Sequence, residues 1–201
     1  MFGTSGIRGP VGAAVTAELA LRVGHALAVD ADRVVIGRDP RESGRALAAA
    51  LSAGLRECGA DVVRLGHAAT PTVARAVAWR DADASVSVTA SHNPPEDNGL
   101  KLWQPSGQAF DGPLLETMTR RIEAQTYEPA PWDGFGRETQ WDAKGRHVDA
   151  ILDTVSWPRD RSVALDLGNG AGSVTADALL EMGCDVTTLN AQPDGAFPGR
   201  N

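Results

Sequence analysis

A serine in a stiff polar loop is the residue of this sequence best placed to do chemistry. Residues 89–101 read TASHNPPEDNGLK and directly follow the apolar alternation of residues 84–88. Two prolines fix φ and remove two N–H donors, and the Asn98-Gly99 pair tolerates positive φ, which predicts a tight turn there. The loop should therefore present Ser91 at the surface, where its hydroxyl can act as a nucleophile or a phosphate carrier.

Two neighbours of Ser91 could support that chemistry. A hydroxyl is a weak nucleophile unless a base or charge assists it, and His92 and Lys101 are near in sequence. Lys101 and Lys144 are the chain's two lysines, which favours a specific role for a lysine inside this loop. The alternative is a proline-rich connector in which Ser91 caps a turn, because serine, proline and asparagine are ordinary loop residues.

Two other segments carry residues suited to binding an anion. Residues 2–9 read FGTSGIRG, where the glycines let backbone N–H groups approach an anion and Arg8 can fork onto phosphate oxygens. The alternative for this segment is a flexible start of the chain. Residues 37–44 read GRDPRESG, and for their Arg38-Asp39 pair a structural salt bridge is the favoured interpretation over a catalytic contact.

Alternating strand and helix patterns must position these loops. The pattern predicts an α/β fold with a mixed, mostly parallel sheet and helices on both faces. Such sheets place their sites at the carboxyl ends of the strands, which is where Ser91 and Arg38-Asp39 fall. The predicted elements are helices at 17–29, 43–58, 73–79 and 113–125, and strands at 33–39, 61–66 and 84–88.

The periodic pattern breaks between Tyr127 and about Lys144, which predicts a domain boundary. We expect residues 1–142 to form a first domain and residues 143–201 to begin a second α/β domain. The second segment contains a strand, the glycine-rich turn GNGAGS and a helix. That order suggests a dinucleotide site as an alternative, but the spacing is G-x-G-x-G, and the next strand ends at Asn190 instead of an acidic residue.

Composition narrows the class of protein. A net charge of −7 over 201 residues argues against a nucleic-acid partner, since phosphate backbones need a basic face. The sequence has no apolar run of membrane-spanning length and no basic-then-apolar leader, so we expect neither a membrane span nor a signal peptide, and a cytoplasmic location. Cys58 and Cys184 are far apart, which is typical of reduced thiols.

The three loop motifs together resemble the α-D-phosphohexomutases, the family of phosphoglucomutase, phosphomannomutase and phosphoglucosamine mutase. The similar stretches are FGTSGIRG, GRDPRESG, TASHNP with NGLK, and the closing PDGAFPGRN of residues 193–201. The sequence departs from the family at Asp97, where members often have an aromatic residue. The resemblance covers essentially all 201 residues but only the first half of a complete enzyme.

The resemblance implies an intramolecular phosphotransferase, an isomerase of carbohydrate metabolism. Ser91 would carry a phosphate, give it to a hexose phosphate, and take back the other phosphate of the resulting hexose bisphosphate. Arg8 would face the phosphoserine, and Lys101 is favoured over His92 as the acid/base group. Thr4, Ser5 and Asn93 would help Arg8 bind the sugar phosphate. Which hexose is used stays open, because the family's sugar-reading loop lies in a later domain.

The resemblance also implies magnesium, held by the phosphorylated Ser91 and by three aspartates of an Asp-Gly-Asp-x-Asp-Arg loop. No such run occurs in this sequence, so Ser91 is the one magnesium ligand we predict here. The four histidines are not paired at ligand spacing and offer no replacement. The alternative to an enzyme is therefore a catalytically incompetent fragment or split-gene product that binds a phosphosugar or a complementing C-terminal half.

Overall fold

A six-stranded sheet forms the centre of the structure, a computed structural model that describes residues 2–3, 6–125, 127–155 and 161–200. The strand order across the sheet is 1-5-4-2-3-6. The strands are β1 (Ile7–Pro10), β2 (Arg33–Arg38), β3 (Asp61–His67), β4 (Ala84–Val88), β5 (Asp97–Trp103) and β6 (Glu138–Gln140). Strands β2, β3, β4 and β6 pair in parallel, and β5 pairs antiparallel with both β1 and β4. Of these six strands, β5 runs against the other five, which confirms the mostly parallel sheet.

Helices cover both faces of this sheet, as predicted. They are α1 (Ala17–Ala28), α2 (Gly44–Glu57), α3 (Thr70–Trp79) and α4 (Gly112–Ala124). Successive residues of a strand point to opposite faces, so Val34 and Ile36 pack in the core beneath α1, α2 and α4, while Val35 packs against α3. Thr16 caps α1 by accepting a hydrogen bond from the Leu19 amide.

A smaller α/β segment follows. It consists of α5 (Lys144–Leu152), β7 (Ser162–Asp166), α6 (Ser173–Glu181), β8 (Asp185–Leu189) and a 3-10 turn at Pro198–Arg200. Strands β7 and β8 pair in parallel, and α5 packs against both α6 and α3. Among the described residues, no helix combines the length and the apolar character needed to cross a membrane.

Two local predictions were wrong. Residues 97–103 form the continuous strand β5, and neither Asn98 nor Gly99 has a positive φ, so the predicted Asn-Gly turn does not exist. The region predicted to be aperiodic contains β6, which adds to the sheet edge beside β3. All three residues of β6 are exposed, and a strand without a buried face gives no alternation for a sequence pattern to detect.

His147 of α5 makes the stability of this fold depend on pH. Its ring is buried, and Nδ1 lies 2.7 Å from Thr72 Oγ1 of α3. Burial, and secondarily the charge of Arg75, lowers the pKa of His147 below the ordinary value of 6.5. The folded state therefore binds this proton less readily than the unfolded chain does. The stability held above pH 6.5 is expected to be lost as the pH falls through the lower folded-state pKa.

Thermal unfolding of wild type and His147→Gln between pH 7.5 and pH 5 checks this expectation. The variant should be less stable near neutral pH, because it loses the buried ring, but its melting temperature should fall less steeply with acidification. The pKa of His67 is also lowered, by desolvation and by the charge of Arg38. His67 therefore contributes equally to the dependence of melting temperature on pH in both proteins. Identical slopes would contradict the assignment to His147.

Candidate active site

Ser91 lies at the carboxyl edge of the sheet, three residues past the end of β4, with an exposed side chain. Its backbone is left-handed, with φ of 59°, a conformation that a serine adopts only where its surroundings impose it. The Ser91 amide donates to Thr89 Oγ1 at 3.0 Å, and the Thr89 hydroxyl donates to Asp39 Oδ2 at 2.5 Å. Ser91 is thus presented, as predicted from the loop, but by this hydrogen-bond chain and not by an Asn-Gly turn.

Sheet register places the two predicted cations on the face of the sheet that carries Thr89. Arg8 of β1 is paired with Gly99 of β5, and the Thr89 amide donates to the Gly99 carbonyl at 2.9 Å. Arg8 and Thr89 therefore lie on either side of Gly99. Lys101 is two residues further along β5, and paired residues share a face, so it lies on the same face as Arg8.

Gly99 lies between Arg8 of β1 and Thr89, and a glycine is required there because three groups approach it closely. A Cβ there would lie 2.3 Å from the Ile7 carbonyl oxygen, and 2.8 Å from both the Thr89 carbonyl oxygen and Arg8 Cγ. Its neighbour Asn98 is fully buried, donates to Ser43 Oγ at 2.9 Å, and accepts from the Gly99 amide. The Asn-Gly pair serves close strand packing.

The remaining predicted site residues differ in how close they lie to Ser91 and in which groups they contact. His92 is exposed, with Nδ1 3.5 Å from Ser91 Oγ. The Lys101 ammonium lies 4.5 Å from the centre of the Trp103 ring, and within the described residues no hydrogen bond joins it to Ser91. Asn93 Nδ2 donates to Asp97 Oδ2 at 2.8 Å, inside the loop. Thr4 and Ser5 lie outside the described residues.

Arg8 offers an unused hydrogen-bond donor. In the part of the chain that the structure describes, its Nε is buried and has no hydrogen-bond partner. Buried donors are nearly always satisfied in folded proteins, and a guanidinium matches the geometry of phosphate oxygens. The site can therefore accept an anion beside Gly99, next to the loop that presents Ser91.

Arg41 is the residue of this site that sequence reasoning missed. Its side chain is fully buried, and its Nε donates to Asp39 Oδ2 at 3.0 Å. Its two terminal nitrogens donate to carbonyl oxygens of the Ser91 loop, at Ser91, Asn93, Pro94 and Asp97. The favoured structural salt bridge of Asp39 exists, but its partner is Arg41 and not Arg38. The one sequence signal is an arginine two residues after Asp39 within GRDPRESG.

Arg38 lines a separate cavity of about 430 Å³ together with Arg45 and Arg64. Burial, and then the charges of Arg64 and Arg45, lowers the pKa of Arg38 from its ordinary value. Arg38 donates to the Asp39 backbone carbonyl at 3.2 Å. Ser91 is not among the described residues that line this cavity, and the carboxylates of Glu138 and Asp142 line it beside the three arginines.

The described residues do not by themselves fit a magnesium ion. Magnesium prefers octahedral coordination by oxygen, and a phosphorylated Ser91 would supply oxygen from one direction. No group of three or more His, Cys, Asp or Glu side chains within the described ranges could hold a metal. A magnesium ion at Ser91 would need oxygen ligands beyond those that the described residues supply.

The α/β fold and the loop that presents Ser91 are features of one protein family, which comparison of the sequence with known families identifies. A model of the family described as "Phosphoglucomutase/phosphomannomutase, alpha/beta/alpha domain I" matches residues 1–129. The chain belongs to the phosphoglucomutase/phosphomannomutase family, the α-D-phosphohexomutases, as the sequence motifs predicted.

Two relatives and one solved structure show how similar the chain is to other members of this family. The chain is 47% identical to a "Probable phosphoglucosamine mutase" of Methanococcoides burtonii, covering 100% of this chain and 46% of the relative. It is 42% identical to a protein of the same name from Pyrococcus abyssi, covering 98% and 44%. A crystal structure of a phosphoglucomutase/phosphomannomutase family protein from Burkholderia thailandensis superposes with a TM-score of 0.83 at 32% identity, over 98% and 46%. The chain spans about half the length of the curated relatives it matches.

Proposed function

We propose that the protein acts as a phosphotransferase that interconverts hexose 1-phosphate and hexose 6-phosphate, with Ser91 as the phosphate carrier and a bisphosphorylated sugar as the intermediate. The supporting observation is the exposed, left-handed Ser91 at the carboxyl edge of the sheet, together with Arg8 of β1, whose buried Nε has no partner among the described residues. The names of the relatives make glucosamine phosphate the first substrate to test.

Each transfer breaks one bond to phosphorus and forms another. A sugar hydroxyl oxygen bonds to the phosphorus on Ser91 as the bond to Ser91 Oγ breaks, and the hydroxyl proton passes by way of an acid/base group to Ser91 Oγ. The resulting bisphosphate turns over in the site. Ser91 Oγ then takes the other phosphoryl group, its proton passes by the same route to the sugar oxygen that leaves, and the product is a monophosphate. Positioning and charge stabilisation supply most of the catalysis in such transfers.

Three side chains have roles in these steps. Arg8 offsets negative charge on the transferring group, since it is paired with Gly99, whose carbonyl accepts from the Thr89 amide. Lys101 is the favoured acid/base group and adds a second cation, which requires its ammonium to turn from Trp103 towards Ser91. His92, 3.5 Å from Ser91 Oγ, is the other candidate base. Thr4, Ser5 and Asn93 complete the proposed sugar-phosphate contacts.

An alternative function rests on the length of the match. The chain covers 46% of the Methanococcoides burtonii relative, and the described residues do not complete a metal site. The chain would then be an incompetent fragment that binds a phosphosugar or a complementing C-terminal half. In both readings residues 1–142 form the first domain and residues 143–201 begin the second. The cytoplasmic location and the lack of a nucleic-acid partner stay predictions.

One assay separates these proposals. The purified 201-residue chain is incubated with glucosamine 1-phosphate, magnesium and a trace of hexose bisphosphate, alone or with the C-terminal half of the Methanococcoides burtonii relative. Formation of glucosamine 6-phosphate by the chain alone would contradict the fragment reading. Turnover only in the mixture identifies this chain as a complementing half that carries the phosphoserine. Absence of turnover both with the chain alone and with the two halves together would contradict the phosphotransferase proposal.

Replacement of Lys101 is expected to slow phosphoryl transfer strongly. Lys101→Met removes both a cation and the favoured acid/base group, so the rate in the active mixture should fall about 10²-fold or more. The matched control is Lys144→Met, which changes the other lysine of the chain. Lys144 lies on α5 and pairs with Asp177, so its loss should leave turnover unchanged. Equal rates for both variants would exclude a role for Lys101.

A further inference from the structure

Arg41 uses every donor of its guanidinium group inside the protein. Nε donates to Asp39 Oδ2, Nη1 donates to the Pro94 and Asp97 carbonyls, and Nη2 donates to the Ser91 and Asn93 carbonyls. Five N–H groups thus have five acceptors. Four of those acceptors are backbone oxygens of the loop that carries Ser91, so one side chain fixes the path of that loop.

This arrangement is specific to arginine. A guanidinium presents five donors in a rigid planar fork, whereas a lysine ammonium presents three donors at one point. The Asp39 carboxylate pairs with the charge and also accepts from the Arg41 amide, at 3.0 Å. Truncating Arg41 would leave the Asp39 carboxylate, which is 13% exposed, without its ion-pair partner and would strand several loop carbonyls, which costs more than the lost bonds themselves.

A segment far along the chain covers Arg41. The Phe197 ring centre lies 4.9 Å from the Arg41 guanidinium carbon, and Phe197 is itself buried. Phe197 has a φ of 51°, which is a strained value for a bulky side chain and is held only where its surroundings impose it. At Gly195 the chain comes so close that a Cβ would lie 2.7 Å from the Pro40 carbonyl oxygen.

The same segment is tied to the turn after β7. The Asp194 amide donates to the Asn169 carbonyl at 2.9 Å, and the Gly199 amide donates to Asn169 Oδ1 at 2.9 Å. A continuous set of contacts therefore runs from that turn through Phe197 and Arg41 to the Ser91 loop. Arg41 is 1% exposed, with the Phe197 ring against its guanidinium, and exclusion of water from a guanidinium strengthens the hydrogen bonds it donates.

We propose that Arg41 is a positioning residue for phosphoryl transfer at Ser91, and that the order of the Ser91 loop depends on Phe197 covering Arg41. The catalytic part of this inference rests on the proposed function, while the structural part does not. The loop supplies the left-handed backbone that aims Ser91 Oγ, and a displacement of about 1 Å at a reacting atom can lower a rate about 10²-fold.

Hydrogen exchange of the 201-residue chain tests the structural part without any phosphate or sugar. The amides of Ser91, Asn93 and Asp97 are hydrogen-bonded within the loop. In Arg41→Lys their exchange should be at least tenfold faster, and in Phe197→Leu it should increase by a smaller factor. Peptides from β2 and β4 serve as internal references. Arg120→Lys, a change at an exposed arginine of α4, is the matched control and should leave loop exchange unchanged.

The outcomes separate positioning from general stability. Faster exchange confined to the loop supports the proposal. Unchanged loop exchange in Arg41→Lys overturns it, and so does equal acceleration in β2 and β4, because that would make Arg41 an ordinary stabilising residue. In the turnover assay Arg41→Lys should lower kcat about 10²-fold with KM little changed. If wild type shows no turnover, the proposed function fails, but the exchange result still decides whether Arg41 and Phe197 order the loop.

Discussion

Ser91→Ala is expected to abolish phosphoryl transfer. The proposed cycle passes every phosphoryl group through Ser91 Oγ, so loss of that atom removes both half-reactions. Removal of the serine nucleophile from another enzyme lowers kcat by a factor on the order of 10⁶, and we expect the turnover rate to fall at least about 10⁴-fold here. The measurement is turnover of glucosamine 1-phosphate in the active mixture, together with mass spectrometry of the chain after exposure to hexose bisphosphate.

The matched control is Ser106→Ala. Ser106 is also an exposed loop serine, and its hydroxyl accepts a hydrogen bond from the Gln108 amide. This variant should keep wild-type turnover and should still acquire a phosphate in the peptide that contains Ser91. Phosphate found on Ser91→Ala, or undiminished turnover by it, would place the carrier elsewhere and sink the proposed role of this loop.

The parts of the site that local sequence determines were predictable. The alternation of residues 84–88 and the helical periods around it define strands and helices, and parallel strands place their following loops at one edge. Ser91 therefore had to lie at the carboxyl edge of the sheet. The glycines around Arg8 predicted an anion-binding role for it, which stays a prediction, but they gave no indication of the residue it pairs with, Gly99.

The parts that depend on distant contacts were not predictable. Arg41 precedes its carbonyl partners in the Ser91 loop by 50 residues or more. An arginine after a proline in a charged loop looks solvent-exposed, and nothing local indicates that it is buried. The prediction of a turn at Asn98-Gly99 was wrong for a related reason. The pair is typical of turns, and its contacts with other strands are not visible in the local sequence. Here glycine is needed because β1 and β4 approach it from both sides.

Gly99→Ala should therefore destabilise the whole first sheet. The added methyl would meet backbone oxygens of Ile7 and Thr89 on opposite sides, at 2.3 and 2.8 Å. Neither oxygen can retreat without breaking a strand pair, and overpacking of this kind costs about 3 kcal/mol, near the upper end of the usual range. For a chain of this size the melting temperature should fall by roughly 6–12 °C, measured by thermal unfolding.

Gly145→Ala provides the control for this change. Gly145 lies in α5, its added Cβ would meet no described atom outside its own turn of helix within 4 Å, and its φ is not positive. Alanine there should be neutral or stabilise by up to about 1 kcal/mol, because alanine is the better helix former. If Gly99→Ala melts like wild type, β1 and β4 must be able to move apart at this row. The close approach of Arg8, Gly99 and Thr89 would then not be what holds Arg8 beside the Ser91 loop.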